Sequence, residues 1–67
     1  MTGLAHFRKL LGLTEQELAE AVGICQHKWS LYETGDREPP VSVLLTVSKV
    51  LDVPVDQLLA RYAPEAN

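Results

Sequence analysis

The run GLTEQELAEAVGICQHKWSLYETGDREPP, from Gly12 to Pro40, constrains the fold more than any other feature, because it dictates where two short helices start and stop. Thr14 followed three residues later by Glu17 is a capping box, in which each side chain can satisfy a backbone N–H at a helix start. A helix therefore opens at about Glu15, with Leu18, Ala19 and Val22 as its apolar stripe. Gly23 ends it, since a left-handed residue is needed where a helix turns off sharply. Beyond Ile24, the stretch Gln26 to Glu33 reads as a second helix, with Trp29 and Tyr32 three apart on one face and Gly35 as its stop. Two short helices joined by so tight a turn meet at a steep angle.

The rest of the chain also reads as helix. Leu4, Phe7, Leu10 and Leu11 follow a 3/4 spacing, which predicts an amphipathic helix from about Leu4 to Leu11, closed by Gly12. GDREPP is a loop, with Pro40 suited to the first turn of a fourth helix. Val41, Leu44, Leu45, Ser48 and Leu51 give that helix its expected inner face, and the stretch shows no period-two alternation that would favour a strand. Pro54 opens a fifth helix with Val55, Leu58, Leu59 and Tyr62 inward and Pro64 as its limit, and the tail 64–67 is expected to fray. The expectation is an all-α, compact five-helix bundle: one domain over 1–67, the two-helix motif at about 14–34 and the last two helices at about 41–62. So short a chain buries only ~60% of the surface it exposes when unfolded, so modest stability is expected.

Composition excludes several functions. Cys25 stands alone, so no disulfide forms within the chain, and Cys25 with His27 is too sparse for a zinc site of about four ligands. No apolar run approaches the ~18 residues of a membrane span, and Met1 to Lys9 lacks a signal peptide's pattern, so a cytoplasmic protein without a membrane partner is expected. No nucleophile is assembled with its base, and no Gly-rich loop could cradle phosphate, so neither an enzyme nor a cofactor is expected. Nine carboxylates against six Lys and Arg leave a net charge of −3. The charges are polarised, with Arg8, Lys9, Lys28 and Arg37 early in the chain and Asp52, Asp56 and Glu65 late.

The phrases GLTEQELAEAVGI, YETGDREPP and LDVPVDQLL resemble, in order and spacing, segments of the lambda-repressor and Cro-like helix-turn-helix domains, also called the XRE type. The resemblance covers nearly all of the chain. It implies that the first motif helix lies across the DNA backbone and the second enters the major groove, usually as one half of a two-fold dimer. The implied function is sequence-specific binding of double-stranded DNA by a homodimeric transcriptional regulator, with repression as the first expectation. The alternative is a protein-interaction module on the same fold, antitoxin-like or an accessory subunit, which the acidic balance would suit.

The candidate site rests on geometry and resemblance together. At about 100° per residue, Gln26, His27, Ser30 and Leu31 fall within roughly 140° of arc, opposite Trp29 and Tyr32. Gln26 has the donor and acceptor fork that pairs with adenine, His27 can donate to guanine or phosphate, Ser30 can reach a base edge, and Leu31 can touch a thymine methyl. Each also reads as an ordinary solvated side chain. Lys28 and Arg37 are phosphate candidates. Relatives commonly carry Gln at the Glu15 position, where it meets a phosphate at the helix start. A carboxylate there would repel the backbone, leaving Gln16 to take over. Leu31 is a second departure, since many relatives are polar or basic there; it lowers affinity or leaves an apolar residue for a protein partner. Arg8 and Glu33 match positions that form an internal ion pair. Trp29 replaces an aliphatic core residue, its bulk offset by a small neighbour such as Ala19 or Ala21. Cys25 falls at the start of the second motif helix, where it fills a cap or, alternatively, senses oxidants. Leu59, Tyr62 and Ala63 match the end through which relatives dimerise, although Tyr62 could equally cover the core.

Overall fold

In a computed structural model, which describes residues 1–62, the chain forms α1 (Gly3–Leu10), α2 (Glu15–Val22), α3 (Gln26–Thr34), α4 (Val41–Leu51) and α5 (Val55–Leu59). Among the described residues there is no strand, only an isolated bridge between Thr2 and Arg61. None of the described helices is long and apolar enough to cross a membrane.

The local signals at the motif are realised as side-chain chemistry. Thr14 Oγ1 accepts from the Glu17 N–H at 3.0 Å and Glu17 Oε1 accepts from the Thr14 N–H at 2.8 Å, which completes the capping box of α2. Donation from the Thr14 backbone, and then from its side chain, holds the Glu17 carboxyl below the ordinary carboxylate value. Because that value is depressed in the folded state, Glu17's contribution is present at neutral pH and is lost as pH falls through the carboxylate range. Thr14→Ala removes the cap oxygen and is expected to cost about 1 kcal/mol, read as a lower midpoint in denaturant. At the other end of α2, Gly23 takes a left-handed φ of 80°, and the N–H groups of Gly23 and Ile24 both donate to Ala19 O, at 2.9 and 3.0 Å. That pair of hydrogen bonds closes α2 and begins the turn into α3.

Trp29, Leu18, Leu58 and Val47 are the largest fully buried side chains, and Leu4, Ala19, Tyr32, Leu44, Leu51 and Val53 complete the core. Each large aliphatic or aromatic among them contributes roughly 1.5–3 kcal/mol by leaving water. Ala19 is buried in the same core cluster as Trp29, whereas Ala21 is exposed and has no part in it. α3 packs against both α1 and α2, and α5 lies against α1 and α4.

Three inner faces differ from the sequence expectation. In α1 the buried residues are Gly3, Leu4 and Ala5, while Leu10 and Leu11 are exposed. The helix ends just there, and its inner edge continues through Phe7 and Arg8 instead. In α4 the stripe is Leu44, Val47 and Leu51, and Val41 and Leu45 face solvent. Both stripes obey helical spacing, and only tertiary packing chooses between them. The fifth helix stops at Leu59, so Tyr62 lies outside it and Leu59 is exposed. Ala60 turns extended because its carbonyl takes the Gly3 N–H at 2.9 Å, and the Tyr62 N–H then donates to Met1 O at 2.8 Å. The otherwise unpaired Gly3 N–H at the start of α1 and the Met1 carbonyl thus draw off the chain that follows α5. Pro40 and Pro54 are the residues just before their helices and not the first turn itself.

Gly3 marks the closest approach in the fold. A Cβ at that position would stand 2.3 Å from Gln57 O and 2.5 Å from Leu58 O, inside any tolerable contact.

Candidate nucleic-acid interface

The platform under α3 is a buried polar cluster. The Glu33 carboxylate accepts from Arg8 Nε, from Arg8 Nη2 at 3.2 Å and from the Trp29 indole N–H. Arg8 Nη1 also donates to Leu13 O at 2.7 Å, and Thr2 Oγ1 donates to Glu33 O at 2.8 Å. The two charged side chains are 11% and 6% exposed, so this is a buried pair, as the resemblance implied. Every buried side-chain N or O among the described residues has a partner. The contacts fix the C-terminal half of α3 against α1 and the α1–α2 loop.

Clamping one half of α3 leaves the other presented to solvent. Gln26, His27 and Lys28 are exposed at its N-terminal end, while Trp29, Tyr32 and Glu33 point inward. Ser30 and Leu31 are half-buried, so Leu31 is not the bare apolar residue that the sequence suggested for a protein partner. Cys25 is exposed and immediately precedes α3, but its thiol makes no capping hydrogen bond. Gln16 is exposed on the first turn of α2, and Arg37 is exposed in the loop after α3. These residues lie on the elements expected to carry them, with Gln16 at the start of α2, Gln26, His27 and Lys28 at the start of α3, and Arg37 beyond its end.

Two further contacts have no counterpart among the sequence expectations. The Ser30 hydroxyl donates to Glu15 Oε1 at 2.5 Å, so the carboxylate turns toward α3 instead of standing free at the helix start. Arg61, late in the chain, brings a second cation beside the α3–α4 loop: its Nη2 lies 3.4 Å from where a Gly35 Cβ would be. Arg37 and Arg61 both line a cleft of about 160 Å³ between that loop and α5. No periodicity could have placed residues so distant in sequence together. The Trp29–Glu33 bond, by contrast, is an i, i+4 pair that was legible in principle.

At the expected dimer end the three residues separate. Leu59 is 59% exposed. Tyr62 is half-buried, stacked on His6 with ring centroids 4.1 Å apart and set edge-on to Phe7. It therefore covers α1. Ala63 lies outside the described residues.

Comparison with known proteins gives a consistent result. A family profile described as a helix-turn-helix domain matches residues 3–61. The chain is 42% identical over 62 residues to YqaE of Bacillus subtilis, named an uncharacterized HTH-type transcriptional regulator, covering 92% of this chain and 53% of that protein. It is 30% identical over 64 residues to the CTXphi transcriptional repressor RstR of Vibrio cholerae, covering 96% of this chain and 57% of the relative. The chain thus spans about half the length of these curated relatives. Among solved structures, the N-terminal DNA-binding domain of SinR from Bacillus subtilis superposes with a TM-score of 0.77 at 36% identity, over 87% of this chain and 86% of that one. SinR in complex with DNA gives the same TM-score and identity over 85% and 95%. Fold, local motif and relatives converge, and the chain belongs to the XRE-like helix-turn-helix family.

Proposed function

We propose that this chain is a sequence-specific reader of double-stranded DNA, acting as a homodimeric transcriptional repressor that places α3 in the major groove. The observation that carries the reading is the division of α3. Its C-terminal half is held by the buried Arg8–Glu33–Trp29 cluster, while Gln26, His27 and Lys28 stand exposed at the end that would enter a groove. A rigid support with free polar side chains at its tip is what base readout requires. Gln26 reads a base, His27 a base or phosphate, and Gln16, Lys28 and Arg37 supply phosphate contacts. The SinR–DNA complex and the repressor RstR support this assignment by similarity.

A single copy presents one α3, and so one half-site, which is why a dimer belongs to the proposal. Of the residues expected at that contact, Leu59 is the one that is apolar and exposed on α5. Selection from random duplex DNA at about 0.05 and 0.15 M salt tests the function, since non-specific binding weakens steeply over that range. A two-fold motif should emerge. Gln26→Ala should weaken binding to it by about 1–3 kcal/mol and relax one base position in each half-site. Folded protein that enriches no sequence at either salt would contradict the reading and favour the protein-interaction alternative.

A further inference from the structure

We propose that Glu15 and Ser30 form an acceptor-only reading pair that selects cytosine, through its exocyclic amine, at one position of each half-site. This rests on the reading of α3 as the helix that enters the groove. Ser30 lies four residues beyond Gln26 and three beyond His27, and so shares their side of α3. Its hydroxyl carries one proton, and that proton is donated to Glu15 Oε1 at 2.5 Å. The Ser30 oxygen is left with lone pairs only. An ionised carboxylate likewise offers only acceptors, and among the described residues Glu15 enters no salt bridge that would neutralise it. Both side chains are half-buried, and the pair they form between the start of α2 and α3 can accept hydrogen bonds and cannot donate them.

Of the four base edges in the major groove, one suits such a pair. Cytosine presents an amine donor at N4 with no acceptor of its own beside it. Guanine offers O6 and N7, and thymine O4, all acceptors that would face the carboxylate lone pair to lone pair. Adenine sets its N6 amine next to the N7 acceptor, so it is tolerated less well. Near phosphates the carboxylate lowers affinity for DNA in general, and the loss is recovered only where an amine meets it. That sharpens discrimination more than it raises affinity.

The experiment is the same selection from random duplex DNA with wild type, Glu15→Gln and Ser30→Ala, each first confirmed folded by its thermal transition, followed by equilibrium binding to single-base variants of the recovered site. Wild type should enrich a motif with a cytosine preference in each half-site. Glu15→Gln, whose amide both donates and accepts, should lose about tenfold of that preference at that one position and leave the others unchanged. Ser30→Ala should blunt the same position. Identical base preferences in wild type and Glu15→Gln, or a uniform change in affinity on every sequence, would overturn the pair while leaving the DNA-reading function intact. A wild type that enriches no motif would overturn both together.

Discussion

Glu33→Ala is expected to destabilise the fold by about 3–5 kcal/mol, the cost of stranding a buried charge when its partner is removed. The truncation leaves the Arg8 guanidinium without its bidentate partner and the Trp29 indole N–H without an acceptor, in a place where water has poor access. Arg8 keeps only Leu13 O among these contacts. For a domain of this size each kcal/mol moves the melting temperature by roughly 4–8 °C, so the midpoint should fall by more than about 10 °C. Calorimetry of the variant beside wild type measures it. A loss below about 1 kcal/mol would mean that the pair behaves as an exposed one.

Gly3→Ala is expected to cost about 3 kcal/mol, at the upper end of what overpacking a rigid site does. The added Cβ would meet Gln57 O at 2.3 Å and Leu58 O at 2.5 Å, both backbone atoms that no rotamer change can move. Relief requires α1 and α5 to separate, which would stretch the Gly3 N–H to Ala60 O bond and expose part of Leu58. The better helix propensity of alanine returns at most about 1 kcal/mol. A denaturant midpoint equal to that of wild type would show that the two helices part at little cost.

These two sites differ in how far the sequence announces them. Arg8 and Glu33 are marked by the family resemblance, and their ion pair is present; nothing in the local pattern around Gly3 marks a close approach, because the atoms it would meet lie on α5. The same division runs through the fold. Signals written within a few residues, such as the Thr14–Glu17 box and the turn at Gly23, place α2 and α3 to within a residue. Helical spacing finds α1 and α4 but misassigns part of their inner faces, since over two or three turns Val41–Leu45 is as regular as Leu44–Val47–Leu51. The same spacing carries α5 too far, because Met1 and Gly3, not its own residues, end it. At the candidate interface, Gln26 and His27 are exposed as helical geometry required, whereas Ser30 and Leu31, in the same arc, are half-buried. The Glu15–Ser30 bond joins two helices and has no local signature.

The outward face around the starts of α2 and α3 is the surface expected to meet DNA. Titration of a mixed-sequence duplex into isotope-labelled protein at about 0.05 M salt, with backbone amide chemical shifts as the readout, tests it without any mutation, because non-specific phosphate binding suffices at that salt. The largest changes are predicted at Gln16, Gln26, His27 and Lys28, with smaller ones near Arg37, and raising the salt should reverse them. Changes centred instead on Leu10, Leu45 or Leu59, or none at all, would show that this face does not bind DNA.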